Sequence, residues 1–270
     1  MRKDIGQYYS LLGEGKYDEA ELLRQEIVPD KLIKFYWLDD DDDKNLKKFN
    51  TLEKDEIWFS SKDALNDPYE FSGLILDVEK LKKMGFEEED IERFQEVLNF
   101  DDYGITCLSS NSIDFLPMWA YYTNNHKGFC VEYSVINKDC VHQVTYEHEK
   151  IKFVKLILDV VRGGLDCLRN HRKPDPKLMT LIKFIIYNMF MKHESWSHEK
   201  EFRIVYPLNG KNGVNVPVSH LGLKTNRIIC GINCSDKNYE KLNEITKSLG
   251  LGGVYKSKLK DGEYSLALER

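Results

Sequence analysis

Stretches with strand character and stretches with helix character alternate irregularly along this chain, and that irregularity constrains its fold more than any other feature. Residues 31–38, 57–60, 103–109, 129–133, 141–146, 201–206, 227–231, 254–258 and 264–268 are rich in β-branched and aromatic residues and read as strands. The 129–133 and 141–146 segments read as a strand pair. Residues 77–99, a short stretch from Pro117, and residues 150–170, 176–194 and 236–249 carry helical spacing of apolar residues. Regular strand–helix–strand alternation would call for a parallel sheet. Its absence predicts an α+β fold with a mixed, mainly antiparallel sheet and flanking helices. Residues 1–30 read as two short helices broken at Gly13-Glu14-Gly15, an N-terminal helical appendage to a single α+β domain over 31–270. The acidic run 39–43 reads as a solvated turn or a helix start. Ser235 is placed to cap the 236–249 helix and Gly250 to stop it.

Composition narrows the function classes. The 270 residues are 41% hydrophobic and 12% aromatic, enough for a large core. A net charge of −6 disfavours a whole-chain electrostatic grip on nucleic acid and leaves room for a local basic groove. The first residues carry no apolar signal-peptide core, so a cytoplasmic protein is expected. The most apolar stretch, 178–191, is too short to span a bilayer and is broken by Lys183, so it reads as a buried helix and no membrane partner is expected. Six cysteines, at 107, 130, 140, 167, 230 and 234, form no CxxC pair and are read as reduced thiols. Cysteines and histidines do not cluster at ligand spacing, so no bound metal is expected. Nucleotide-fold glycine signatures, the P-loop and the G-x-S-x-G elbow are all missing from the sequence.

Three motifs carry candidate chemistry. In the first, a strand ends at Ser60 and the chain continues through Asn66, Asp67, Pro68 and Glu70. Asn-Asp-Pro builds a turn, and the same turn would crowd three polar groups at a strand end, able to orient a ligand. In the second, Trp119 and Tyr122 share a helix face ahead of His126 and Gly128. The aromatics are either core or a stacking surface for a nucleobase or nicotinamide, and His126 suits proton transfer near neutral pH. In the third, Glu199, Glu201 and Arg203 share one side of an extended segment. They are either a buried ion pair or a working carboxylate beside an anion clamp. Ser109 ends a further strand that could line the same cleft.

Taken in order, these motifs resemble a bacterial family, the domain of unknown function family 2971. The resemblance rests on Lys34-Phe35-Tyr36, Trp58-Phe59-Ser60, Asn66 to Glu70, Cys107-Leu108-Ser109, Trp119 to Tyr122, His126-Lys127-Gly128, Glu132, Trp196 and Glu199 to Arg203. It covers residues 31–268 and implies a fold neighbourhood without naming a reaction. A more distant similarity is to ADP-ribosyltransferase-like folds, which bind NAD in the cleft of a split mixed sheet. It implies NAD as substrate, with Tyr36, Ser60 or Ser109, Tyr122 and Glu201 in the successive roles.

Three functions are therefore expected from the sequence. The first is an intracellular bacterial enzyme of phage-defence or toxin type acting on NAD, a nucleotide or nucleic acid. In it Glu201, His126 and Glu199 are catalytic, and Tyr36, Ser60, Asn66, Asp67, Glu70, Ser109, Trp119, Tyr122 and Arg203 bind substrate. The second is a metal-dependent nuclease using Asp67, Glu70, Glu199 and Glu201. The third is a non-catalytic binding or regulatory module, with residues 1–30 engaging a protein partner.

Overall fold

The computed structural model describes residues 5–39 and 42–270. Asp40 and Asp41, in the middle of the acidic run, and residues 1–4 lie outside the described residues; a helix, Asp42–Glu53, begins within that run. The fold is α+β, as the irregular alternation predicts. The chain divides into two compact units that it visits in turn. The first comprises the residues up to Ile27, Ser61–Tyr103 and His142–Ser197. The second comprises Val28–Ser60, Gly104–Val141 and His198–Arg270.

The second unit is built on a sheet. Its strands are β1 (Lys31–Tyr36), β2 (Glu56–Ser60), β3 (Tyr103–Ser109), β4 (Phe129–Val135), β5 (Glu201–Pro207), β6 (Gly213–Pro217), β7 (Leu223–Cys230), β8 (Tyr255–Leu259) and β9 (Leu266–Glu269). They run β6-β2-β3-β1-β4-β7-β8-β9, and β5 also pairs with β3. The β7–β8 pair is parallel, whereas β1–β3, β1–β4, β2–β3, β2–β6, β4–β7 and β8–β9 are antiparallel.

Register decides which side chains meet. Opposite residues of β1 and β4 share a face, so Leu32/Tyr133, Lys34/Val131 and Tyr36/Phe129 lie on one side and Ile33/Glu132 and Phe35/Cys130 on the other. The helix Leu116–Tyr122, entered through Pro117 in its first turn, contributes Trp119 to that second side. Trp119 joins Ile33, Cys130, Ile229 and Leu266 in a buried cluster and meets Phe35 edge-on, ring centres 5.4 Å apart. Gly128 lets the chain leave this helix and enter β4: a Cβ there would stand 2.0 Å from the Tyr36 carbonyl oxygen. Ser235 Oγ accepts from Asn238 N at 3.3 Å and caps Asp236–Ser248, and Gly250, at φ 72°, follows its end, both as the sequence predicts.

The first unit is mainly helical. Ile5–Gly13 and Tyr17–Ile27 form the expected pair, packed through Tyr8, Leu12, Ala20 and Leu23. Asp77 and Asp175 cap Val78–Lys83 and Pro176–Ile186 by accepting from Lys80 N and Leu178 N. No helix among the described residues is long and apolar enough to cross a membrane.

Several element predictions need correction. The single helix expected over 77–99 is two, Val78–Lys83 and Glu88–Glu96, because the chain turns between them through Gly85 at φ 88°. The helix expected from 150 begins at Lys155, after a short strand, Ile151–Phe153, that pairs with Leu74–Leu76. The one expected to reach 194 ends at Ile186. Met191–His193 is drawn instead into a parallel pair with Thr145–Glu147, so residues 141–146 are not the partner of 129–133; β4 is flanked by β1 and β7. Leu74–Leu76 and Gly213–Pro217 are strands that local pattern does not reveal.

One histidine makes the first unit pH-sensitive. The His142 ring sits 4.6 Å from that of Phe190, and burial, reinforced by the Arg24 charge, pushes its imidazole down to about 4. An unfolded histidine titrates near about 6.5. As pH falls the unfolded chain binds the proton first, so the stability this group contributes is intact above about pH 6.5 and is lost between there and about pH 4. Urea denaturation across that window should show a loss on the order of 3 kcal/mol that His142→Gln removes. Equal pH slopes for the two proteins would refute the assignment.

Candidate functional site

Polar side chains from three separate segments converge in the second unit. Glu199 precedes β5 and Glu201 opens it, while Arg203 lies two residues on. Their burial is near complete: Glu199 and Glu201 are each 3% exposed and Arg203 0%. Arg203 grips Glu201 with two donors, Nε to Oε1 at 2.7 Å and Nη2 to Oε2 at 3.2 Å. Such a forked pair both neutralises the carboxylate and fixes its plane. Two residues earlier, Glu199 Oε1 accepts the phenol proton of Tyr122 from the Leu116–Tyr122 helix. Ser109, the last residue of β3, donates to the Glu199 carbonyl at 2.6 Å. Asn111 Nδ2 donates to the carbonyls of His198 and Glu199 at 2.8 and 3.0 Å, and Ser109 Oγ receives Asn111 N.

This backbone clamp bends the chain. Lys200 takes φ 46°, a left-handed conformation that costs a non-glycine residue on the order of 1 kcal/mol, and its carbonyl accepts from Ser110 N at 3.1 Å. The 198–200 segment is thus held by the end of β3, which sets where Glu199 and Glu201 point.

Lys34 extends the cluster toward β1. Its Nζ donates to the Cys107 carbonyl at 3.3 Å and lies 5.4 Å from the Tyr36 ring centre. Burial lowers its ammonium pKa, and the Glu201 carboxylate works against that shift. Lys34 and Asn111 belong to the cluster, although their sequence contexts mark neither as a site residue. The signals were a lysine inside an alternating strand and an asparagine directly after Ser109-Ser110.

The remaining sequence-predicted residues are distributed as follows. Tyr36 stacks on Phe129 with 4.8 Å between ring centres, and its hydroxyl stands 3.3 Å from that of Tyr133; burial pushes the phenol pKa up. Ser60, half-buried, ends β2 opposite Ile105 and Gly213. Trp119 is wholly buried, and its indole donates to the Ile113 carbonyl at 2.7 Å. It offers no open face, so of its two sequence readings the core one describes it. His126 lies over Trp119 with near-parallel rings 6.2 Å apart. Its Nδ1 is buried without a hydrogen-bond partner, and burial lowers its pKa, favouring the neutral imidazole.

Residues 118–204 match the family model of a protein of unknown function, DUF2971. That DUF2971 segment takes in Trp119, Tyr122, His126, Glu199, Glu201 and Arg203, and it supports the family resemblance read from the motifs. Tyr36, Ser60, Asn66, Asp67, Glu70 and Ser109 lie outside it. No curated protein and no solved structure matches the chain. The DUF2971 segment supplies both carboxylates, the arginine and the phenol, whereas Ser109 and Asn111, which position Glu199, come from upstream of it.

Asn66, Asp67 and Glu70 belong to the first unit. Asp67 Oδ1 accepts from Tyr69 N at 2.9 Å, the side-chain turn that the Asn-Asp-Pro motif predicts. Glu70 pairs with Lys192 at 3.6 Å, both side chains buried, and that ammonium lies 4.6 Å from the Trp196 ring centre. Asn66 is exposed. Among the described residues, no group of three or more His, Cys, Asp or Glu side chains stands ready to hold a metal ion.

Proposed function

We propose that this chain is a bacterial enzyme acting on NAD, another nucleotide or nucleic acid, with Glu201 as its working carboxylate. The observation that carries this reading is the gathering of Glu199, Glu201, Arg203, Tyr122, Ser109 and Lys34 into one buried polar cluster of the second unit. Ionisable groups are costly to bury, and clusters of them are where functional chemistry concentrates. Cleaving a nicotinamide–ribose bond develops positive charge on the sugar, and a carboxylate held in place stabilises it. Arg203 holds and aims Glu201, while the Tyr122–Glu199 pair can relay a proton. His126, favoured neutral, can accept one. The setting in phage defence or toxin action and the ADP-ribosyltransferase-like chemistry belong to this proposal.

The test is to incubate the purified chain with NAD and bacterial lysate and to follow nicotinamide release and ADP-ribose adducts by mass spectrometry. Glu201→Gln keeps the side chain's size and should lose at least about 100-fold in rate, the usual scale for removing one key electrostatic group. Because it also leaves the buried Arg203 charge without its partner, the rate is compared under conditions where circular dichroism shows both proteins folded. An active, folded Glu201→Gln protein would sink the assignment.

A second reading is favoured by the completeness of burial. With Arg203 at 0% and Glu201 at 3% exposure, the cluster serves equally as the internal frame of a non-catalytic binding module. On that reading Glu201→Gln costs stability and changes no reaction rate.

A further inference from the structure

The end of β7 and the turn after it bring two cysteines together beside the His126 loop. Cys230 ends the strand, and Cys234 precedes the Ser235 cap of the Asp236–Ser248 helix. Cys234 N donates to the Gly231 carbonyl at 3.1 Å, closing a tight turn directly after Cys230. The two thiols are near enough to perturb each other's ionisation, Cys234 Sγ donates to the Ser235 carbonyl at 3.7 Å, and both cysteines are free.

That turn is fastened to the loop carrying His126. Gly231 N donates to the Gly128 carbonyl at 2.8 Å, and Asn233 N to the His126 carbonyl at 3.0 Å. Asn233 Nδ2 donates to the Asn125 carbonyl, also at 3.0 Å. The two backbones touch at Gly231, where a Cβ would stand 2.1 Å from the His126 carbonyl oxygen. The loop itself is strained: Asn124, Asn125 and His126 take φ of 52°, 54° and 66°, three left-handed non-glycine residues in succession. Such a run persists only where its surroundings hold it, and here part of the hold is the cysteine turn.

We propose that Cys230 and Cys234 are a reversible thiol–disulfide pair, oxidised by peroxide, whose closure shifts the His126 loop. The Cys234 thiolate attacks one oxygen of hydrogen peroxide, breaking the O–O bond. This leaves a sulfenic acid on Cys234, and the departing hydroxide takes up a proton to become water. The Cys230 sulfur then attacks the sulfenic sulfur as its thiol gives up its proton; the S–S bond forms, the S–O bond breaks, and the departing hydroxide takes that proton to leave as a second water. Two thiols and one peroxide give one disulfide and two waters, and a small dithiol restores the pair by exchange.

The chemistry fits the two sites. Cys234 is the more accessible thiol, at 6% exposure against 0% for Cys230. The neighbouring Cys230 thiol and the Lys256 charge lower its pKa, while the Cys230 thiol is pushed up by its Cys234 neighbour and by burial. The attacking and resolving roles are therefore distinct. In the proposed disulfide the sulfurs close to about 2.05 Å with a fixed torsion, and the adjustment this demands falls on the 231–234 turn. The atoms nearest to that movement are the Asn125, His126 and Gly128 carbonyls.

The experiment uses the full chain and needs no substrate, so its outcome is independent of the enzymatic reading. After peroxide treatment and alkylation of the remaining thiols, peptide mapping should find a Cys230–Cys234 crosslink lighter by two hydrogens and reversed by dithiothreitol. Amide hydrogen exchange over residues 124–128 should rise in the oxidised protein, and this rise should be lost in Cys234→Ser. Cys230→Ser should instead trap a sulfenic acid on Cys234 that dimedone labels. If those variants fail to fold, the wild-type crosslink and exchange still decide the matter. A folded chain that resists crosslinking, or crosslinks through other cysteines, overturns the redox pair. A Cys230–Cys234 bond that leaves 124–128 exchange unchanged overturns the coupling to His126.

Discussion

Arg203→Ala is expected to destabilise the chain by about 3–5 kcal/mol, the scale for leaving a buried charge without its partner. Arg203 has no solvent exposure and Glu201 almost none, so water cannot take over the two donors that the guanidinium gives. The cost comes from Glu201 stranded in a low-dielectric interior more than from the lost attraction. The same argument makes a second, opposite forecast. Replacing both residues together, Arg203→Met with Glu201→Leu, removes the stranded charge and should cost far less than Arg203→Ala alone. Urea denaturation of the three proteins measures the difference. A loss below about 1 kcal/mol for Arg203→Ala would place the pair among exposed ion pairs, whose usual worth is that small.

Trp119→Ala should cost about 3–5 kcal/mol as well, by a different mechanism. The indole fills the space between Ile33, Cys130, Ile229 and Leu266, and its removal leaves a cavity that these β-sheet side chains cannot close. Trp119→Phe keeps most of the volume and gives up the bond to the Ile113 carbonyl, so a smaller loss of about 1–3 kcal/mol is expected from the unsatisfied acceptor and the reduced packing. Thermal melts monitored by circular dichroism test both. Were the ring a stacking platform for a ligand, Trp119→Ala would leave the melting temperature in place and weaken ligand binding instead.

These two residues show how far the sequence is legible. Glu201 and Arg203 alternate in a strand with period two, so their shared face follows from local geometry, and the structure places them in a forked pair. The same period cannot say whether that face is wet. Burial of Arg203 depends on strands that join from far along the chain, β3 among them. Trp119 and Tyr122 were rightly assigned one helix face, but the sheet takes Trp119 into its core while Tyr122 reaches Glu199. The elements that local pattern misplaced, 141–147 and 187–193, are those whose pairing is decided by a partner more than forty residues away. Caps and turns fared better because they are local: Ser235, Asp67 and the Gly13-Glu14-Gly15 break each act on neighbours within a few residues. Asn111 carries no motif of its own, and Lys34 lies in the Lys34-Phe35-Tyr36 motif without a role there; both join the cluster through contacts that only the fold supplies.

The chain passes between its two units at residues 27/28, 60/61, 103/104, 141/142 and 197/198. Neither unit is therefore a cassette that recombination could excise and graft onto another gene. The DUF2971 match begins and ends inside the second unit and takes in a whole visit to the first. A gene fragment confined to 118–204 would encode β4 without β1 and β7, and Glu199 without Ser109 and Asn111. What such a lineage can inherit or exchange intact is the longer reading frame.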